Sequence, residues 1–199
     1  IQGGVDYAHD SGLYAGVWAS NVDFDGPVEI DLDEEEFSDG QDQTSAELDL
    51  YLGYGGEIEG LAYDVGYIYY AFPDDEADAD FGEIYGELGL GPFALGLAVT
   101  TNGEADEGAF TSGDVYYYGG VELPLEDDFS VGLTLGFYDF ADDGDAGVGD
   151  ISYGHVAASL AKDAGDFGGF SFNVELAESE AGSPNSDQAS VWVGWSKEF

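Results

Sequence analysis

Period-2 alternation, repeated along the chain and never giving way to a helical period, most narrows what this sequence can fold into. ELDLYLGY (47–54) sets Leu48, Leu50, Leu52 and Tyr54 against Glu47, Asp49, Tyr51 and Gly53. LAYDVGYIYYAF (61–72) sets Leu61, Tyr63, Val65, Tyr67 and Tyr69 against Ala62, Asp64, Gly66, Ile68 and Tyr70. FGEIYGELGL (81–90) sets Ile84, Leu88 and Leu90 against Glu83, Tyr85 and Glu87, and FALGLAVT (93–100) follows after only Gly91 and Pro92. Similar runs are IQGGVDYA (1–8), LYAGVWAS (13–20), DVYYYGGVEL (114–123), SVGLTLGFYDF (130–140), DISYGHVAASL (150–160), GFSFNVELA (169–177) and SVWVGWSKEF (190–199). Successive side chains of a strand point to opposite faces, so the pattern predicts eleven strands. Helix is disfavoured because the 32 glycines sit inside the apolar runs, where each would cost a helix about 1 kcal/mol.

The connections alternate in length. Those at 21–45, 73–80, 101–113, 141–149 and 178–188 are long; those at 10–12, 55–60, 91–92, 124–128 and 161–168 are shorter. About half of the acids lie in the long ones. Strands of roughly 9–11 residues, joined by alternately long and short connections, match an antiparallel up-and-down transmembrane barrel. The 199 residues suit a single such domain, 1–199.

Charge limits the partners. The chain carries 44 Asp and Glu against two lysines, Lys162 and Lys197, for a net charge of -42. Nothing so acidic neutralises phosphates, which excludes nucleic acid and electrostatic docking on an anionic membrane. Low hydrophobicity with such charge would imply disorder. Yet 44% of the residues are apolar and 15% aromatic, so charge and apolar surface must be segregated in space. Self-repulsion is relieved in brine, where the Debye length drops from about 30 Å at 0.01 M to about 3 Å at 1 M, and the composition looks like that of a halophile's protein. There is no cysteine, hence no disulfide framework or thiolate metal site. No run of 18 or more apolar residues occurs, which excludes a transmembrane helix. No basic-then-apolar leader opens the sequence, which reads as a mature or trimmed product.

Alternation alone does not distinguish a water-soluble sandwich, apolar face inward, from a membrane barrel, apolar face toward lipid. Three features favour the barrel. Aromatics crowd the strand ends (Tyr69, Tyr70, Phe72, Phe81, Phe137, Tyr138, Phe140, Phe167 and Phe170), as interfacial girdles do. Acids recur in mid-strand on the face opposite the apolar one. Glycine and alanine take the remaining positions on that face and leave room for water. The terminal Phe199 has the form that the barrel-assembly machinery of Gram-negative outer membranes recognises.

IQGGVDYAHDSGLYAGVWASNVDF (1–24), ELDLYLGY (47–54), YDVGYIYYAFP (63–73) and the ending VWVGWSKEF resemble, in the same order, the TorF-family porins of proteobacteria. The resemblance runs over essentially the whole chain, strongest before residue 90 and loose between 100 and 185. It implies an outer-membrane β-barrel with a pore, and no catalytic residues. The chain departs from the family in lacking a strand before the IQGG block and in an enlarged acidic 21–45 segment. Bacterial single-chain barrels have even strand numbers, so the expectation is twelve strands, the first absent from this sequence. An intact native mass above 21.0 kDa is the corresponding measurement.

The expected pore-lining set is Asp6, Glu47, Asp49, Asp64, Glu83, Glu87, Asp114, Glu122 and Glu175, with Tyr85, Tyr116 and Tyr118. Carboxylates lining a water-filled pore attract cations and repel anions; the bland alternative is a solvated halophilic interior without tuned selectivity. A Ser-His-Asp enzyme would need His9 or His155 as its base, but no serine stands in a nucleophile context. DFADDGDAGVGD (139–150) is a poor calcium loop, without a third-position ligand and ending in Asp. Like DLDEEEFSDG (31–40), it reads better as a solvated acidic loop; no cofactor or metal is expected. Three functions compete: a cation-preferring porin for small hydrophilic solutes, a structural or adhesive barrel plugged by side chains or by the 21–45 segment, and a soluble acidic ligand-binding sandwich.

Overall fold

Every alternating run becomes one strand. The computed structural model describes residues 1–25, 43–73, 80–103, 109–141, 152–179 and 189–199. Its strands are β1 (Gln2–Ala8), β2 (Leu13–Asp25), β3 (Gln43–Ile58), β4 (Leu61–Ala71), β5 (Phe81–Leu90), β6 (Phe93–Gly103), β7 (Val115–Pro124), β8 (Phe129–Asp139), β9 (Tyr153–Asp163), β10 (Gly169–Ser179) and β11 (Ala189–Ser196). They form one antiparallel sheet in sequence order, each strand bonded only to its neighbours in the chain. The expected eleven strands are all present. The sheet does not close: β1 and β11 keep their outer edges, and an odd count makes these two strands run in the same direction.

The largest difference from the expected boundaries is β3, which runs from 43 to 58 rather than 47 to 54. Gly55 and Gly56 read as the start of a turn. Instead they stay in register with Asp64 and Tyr63, whose side chains lie over them: a Cβ would meet Asp64 Oδ2 at 2.8 Å and the Tyr63 hydroxyl at 2.6 Å. The turn shrinks to Glu59 and Gly60, both at positive φ (53° and 85°), the backbone that a two-residue hairpin requires. Short connections gather at one end of the sheet and long ones at the other.

The two faces are inverted relative to a soluble protein. Leu95 and Val193 are 67% and 77% exposed on the apolar face. The most buried large side chains, Thr100 and Asp114, are polar and belong to the opposite face. That polar face is concave. Tyr138 of β8 donates to Glu83 of β5 across 2.6 Å, although three strand spacings on a flat sheet span roughly 14 Å.

Candidate functional site

Register assigns all twelve expected pore-lining residues to this one face. Asp6 pairs with Gly16, which pairs with Tyr51; Glu47 and Asp49 are in step with Tyr51 on β3. Asp64 pairs with Glu87, Glu87 with Gly96, and Gly96 with Tyr118. Tyr85 and Tyr116 both pair with Ala98, Glu122 pairs with Gly132, and Glu175 with Ala157. Asp114 continues the β6–β7 ladder through its carbonyl, which accepts from the Thr100 N–H at 2.9 Å.

Carboxylates on the face are bonded chiefly by tyrosine hydroxyls. Tyr51 donates to Asp6 and Tyr118 to Glu87. Tyr14 donates to Asp64 at 2.5 Å and lies 2.5 Å from the Tyr85 hydroxyl. Glu83, 5% exposed, accepts from Tyr138 at 2.6 Å, Tyr70 at 3.3 Å and Thr100 at 3.4 Å. A short O–H···O⁻ contact such as that from Tyr138 is in the charge-assisted range. Asp49 is buried, and its Oδ1 has no hydrogen-bond partner among the described residues.

His155 belongs to this face too, which the weak alternation of 151–160 did not reveal. Its Nε2 meets the Tyr116 hydroxyl at 2.8 Å and its Nδ1 faces Glu175 at 3.4 Å. Its ring lies over Gly136, where a Cβ would approach Nε2 to 2.1 Å. His9 is in the exposed β1–β2 turn, as expected, bonded to the Ser11 hydroxyl at 2.9 Å.

Two expectations are corrected. Several glycines of this face do not leave space for water, because tyrosine rings from the paired strand cover them. A Cβ at Gly16 would meet Tyr51 at 2.4 Å, at Gly53 Tyr14 at 2.3 Å, at Gly66 Tyr85 at 2.3 Å and at Gly96 Tyr118 at 2.0 Å. An aromatic laid across a cross-strand glycine compensates the packing the glycine lacks. The strand-end aromatics, in turn, do not form one girdle. Phe167 and Phe170 are outward, and Tyr117 packs with Phe137 on the same outer face. Tyr70, Phe81, Tyr138 and Phe140 instead turn inward and stack, Tyr70 on Phe81 at 4.4 Å and Tyr138 on Phe140 at 4.5 Å. Parity decides this: Phe81 is two residues from Glu83 and must share its face.

Neither lysine reaches the acids of the concave face. Lys162 points outward from β9, donating to the Asp127 carbonyl and standing 3.6 Å from Asp128. Lys197 follows β11 and donates to the Asp166 carbonyl at 3.0 Å. Both are at the short-connection end. With no arginine in the chain, the acids of the concave face have neither lysine nor arginine beside them among the described residues, and His155, next to Glu175, is the face's basic side chain. At its other end the Asp114 carboxyl is pushed up by burial and drawn partly back by backbone N–H groups, those of Ala141 and Thr111 among them. The acidic stretches 31–40 and 142–150, including most of the calcium-loop candidate, and residues 26–42 of the plug candidate 21–45 lie outside the described residues. Among the described residues no cluster of three metal-ligating side chains occurs.

One open antiparallel sheet with a concave carboxylate–tyrosine face and an exposed apolar face defines the class of this protein. The chain belongs to the family described as "Bacterial protein of unknown function (Gcw_chp)", which matches residues 1–190. No curated protein matches it, and no solved structure does.

Proposed function

We propose that this chain forms a barrel in the bacterial outer membrane through which small hydrophilic solutes diffuse passively, cations in preference to anions. The observation that carries the reading is the inversion of the two faces. More than two dozen large apolar side chains, from Val5 to Trp195, stand exposed, whereas a soluble monomer rarely exposes a contiguous apolar patch beyond a few hundred Å². Lipid covers such a face at no desolvation cost. Short connections gathered at one end fit the periplasmic side of such a barrel. The TorF-like blocks point the same way. In hydrocarbon the free edges of β1 and β11 must be paired. A strand antiparallel to both closes the sheet at twelve, an even number.

Cation preference follows from many carboxylates facing a common space with no lysine or arginine among them and only His155 as a basic side chain. The reading assigns no catalytic residue and no cofactor. A second reading, the plugged structural barrel, is favoured by one observation: Phe72, Phe81, Tyr138 and Phe140 are buried together on the concave face. A planar-bilayer recording under a KCl gradient tests both. Discrete steps with a cation-side reversal potential are expected. An anion-side reversal overturns the selectivity, and silence from protein shown to be inserted moves the assignment to the plugged barrel.

The net charge of -42 adds a halophilic expectation. The apparent melting temperature should climb as NaCl is raised from about 0.1 M to about 1 M, over which the Debye length contracts from about 10 Å to about 3 Å. A flat profile in circular dichroism melts rejects it.

A further inference from the structure

The last residues of the β6–β7 connection, 109–114, return onto the concave face. The Gly113 N–H donates to the Thr100 carbonyl at 2.9 Å, and Ser112 donates to the Thr101 carbonyl at 3.3 Å. The chain crosses so close to β6 that a Cβ on Gly103 would meet the Phe110 carbonyl oxygen at 2.3 Å. Only glycine permits that crossing.

Phe110 is held there against its own preference. Its φ is +65°, a left-handed backbone that a bulky side chain rarely adopts and that survives only where surrounding contacts impose it. Asp114 imposes it. Fully buried, its carboxylate accepts from the Thr111 N–H at 3.1 Å, the Thr111 hydroxyl at 3.4 Å and the Ala141 N–H at 2.8 Å. The last bond ties this turn to the chain leaving β8.

The ring so placed bridges two walls of the curled sheet. It stacks on Phe81 of β5 at 4.4 Å and 14°. It stands edge-on to Tyr138 of β8 at 6.0 Å and 86°, and to Phe140 just beyond β8 at 5.8 Å and 84°. Glu83, two residues along β5 from Phe81, and Thr100 are almost completely shielded from solvent. An otherwise acidic face thus carries an apolar, aromatic wedge at its long-connection end.

We propose that Phe110, held in place by Asp114, is the constriction of this barrel and sets the size of solute that passes. The assignment rests on the pore reading above. A hydrophobic narrowing limits passage by steric exclusion and by dewetting, while the carboxylates beyond it continue to select for charge.

The chain has no cysteine, so Phe110→Cys gives a unique handle. Single-channel conductance is expected to rise by about twofold or more when the ring is removed, with the reversal potential still on the cation side. Attaching a bulky neutral maleimide to that thiol returns conductance to or below the wild-type level in the same inserted molecules. Asp114→Asn, which keeps the shape but replaces one of the two accepting oxygens, each of which takes an N–H, with an N–H₂ group, is expected to produce flickering between wild-type and enlarged levels. A wild type that is silent beside a Phe110→Cys variant that conducts overturns the constriction in favour of a plug at Phe110. Conductance unchanged by both the substitution and the maleimide overturns it and leaves the pore standing. Silence from both inserted proteins overturns the pore and the constriction together.

Discussion

Replacing Leu135 with arginine is expected to destabilise the lipid-reconstituted protein by about 2–4 kcal/mol, the cost of a cation at the bilayer midplane on a barrel's outer face. Leu135 lies near the middle of β8, paired with Gly119 and Val156, and is 59% exposed. In a water-soluble protein the same substitution would change stability by at most about 0.5 kcal/mol. Leu123→Arg provides the depth control. It is also on the outer face, but next to Pro124 at the short-connection end, where about 0–1 kcal/mol is expected. Urea unfolding of the two variants and the wild type in phospholipid vesicles reads both numbers. A steep difference between Leu135 and Leu123 places the apolar face in lipid. Two equal, negligible effects would leave that face in water and remove the basis for any transmembrane reading.

The strands were legible because alternation is a local property, and so was the face to which each acid belongs: once Glu47 is assigned, parity carries Asp49 and Tyr51 with it. Tyrosine was harder to place. Tyr14 and Tyr51 have an apolar body and a polar tip, so neither type nor position distinguishes a girdle residue from a partner for Asp64 or Asp6. The distinguishing signal is cross-strand: each of these tyrosines is paired with a glycine, Tyr14 with Gly53 and Tyr51 with Gly16, and the register that pairs them is not a local property. Curl was not legible either, and only curl brings Tyr138 to Glu83. Phe110 had no signal at all. It sits in an acidic connection with no period, and its placement depends on what the buried Asp114 carboxylate accepts, a contact between two separate connections.

Glu83 is the residue whose loss should most damage the interior. Three hydroxyls, from Tyr70, Thr100 and Tyr138, converge on its carboxylate, and the β5–β6 register, unbroken from the Leu90–Phe93 hairpin as far as Glu83, sets it opposite Thr100. Glu83→Ala removes the acceptor of all three. A buried polar group left unpaired costs about 1–3 kcal/mol, and some of the freed hydroxyls will find each other, so a total loss of about 3–5 kcal/mol is expected. Glu83→Gln keeps one oxygen for Tyr138 and offers an N–H₂ to the Tyr70 oxygen. It loses only the charge-assisted part of the bonding, about 1 kcal/mol. Urea unfolding in the same vesicles should therefore rank the wild type above Gln and Gln well above Ala. Equal stability of the Ala and Gln variants would mean that the three hydroxyls do not depend on Glu83. A Gln variant more stable than the wild type would mean instead that burying the ionised carboxylate costs more than its hydrogen bonds return. In that case the carboxylate is retained for the field it sets up on the concave face, and on the pore reading its replacement should then shift the reversal potential toward zero.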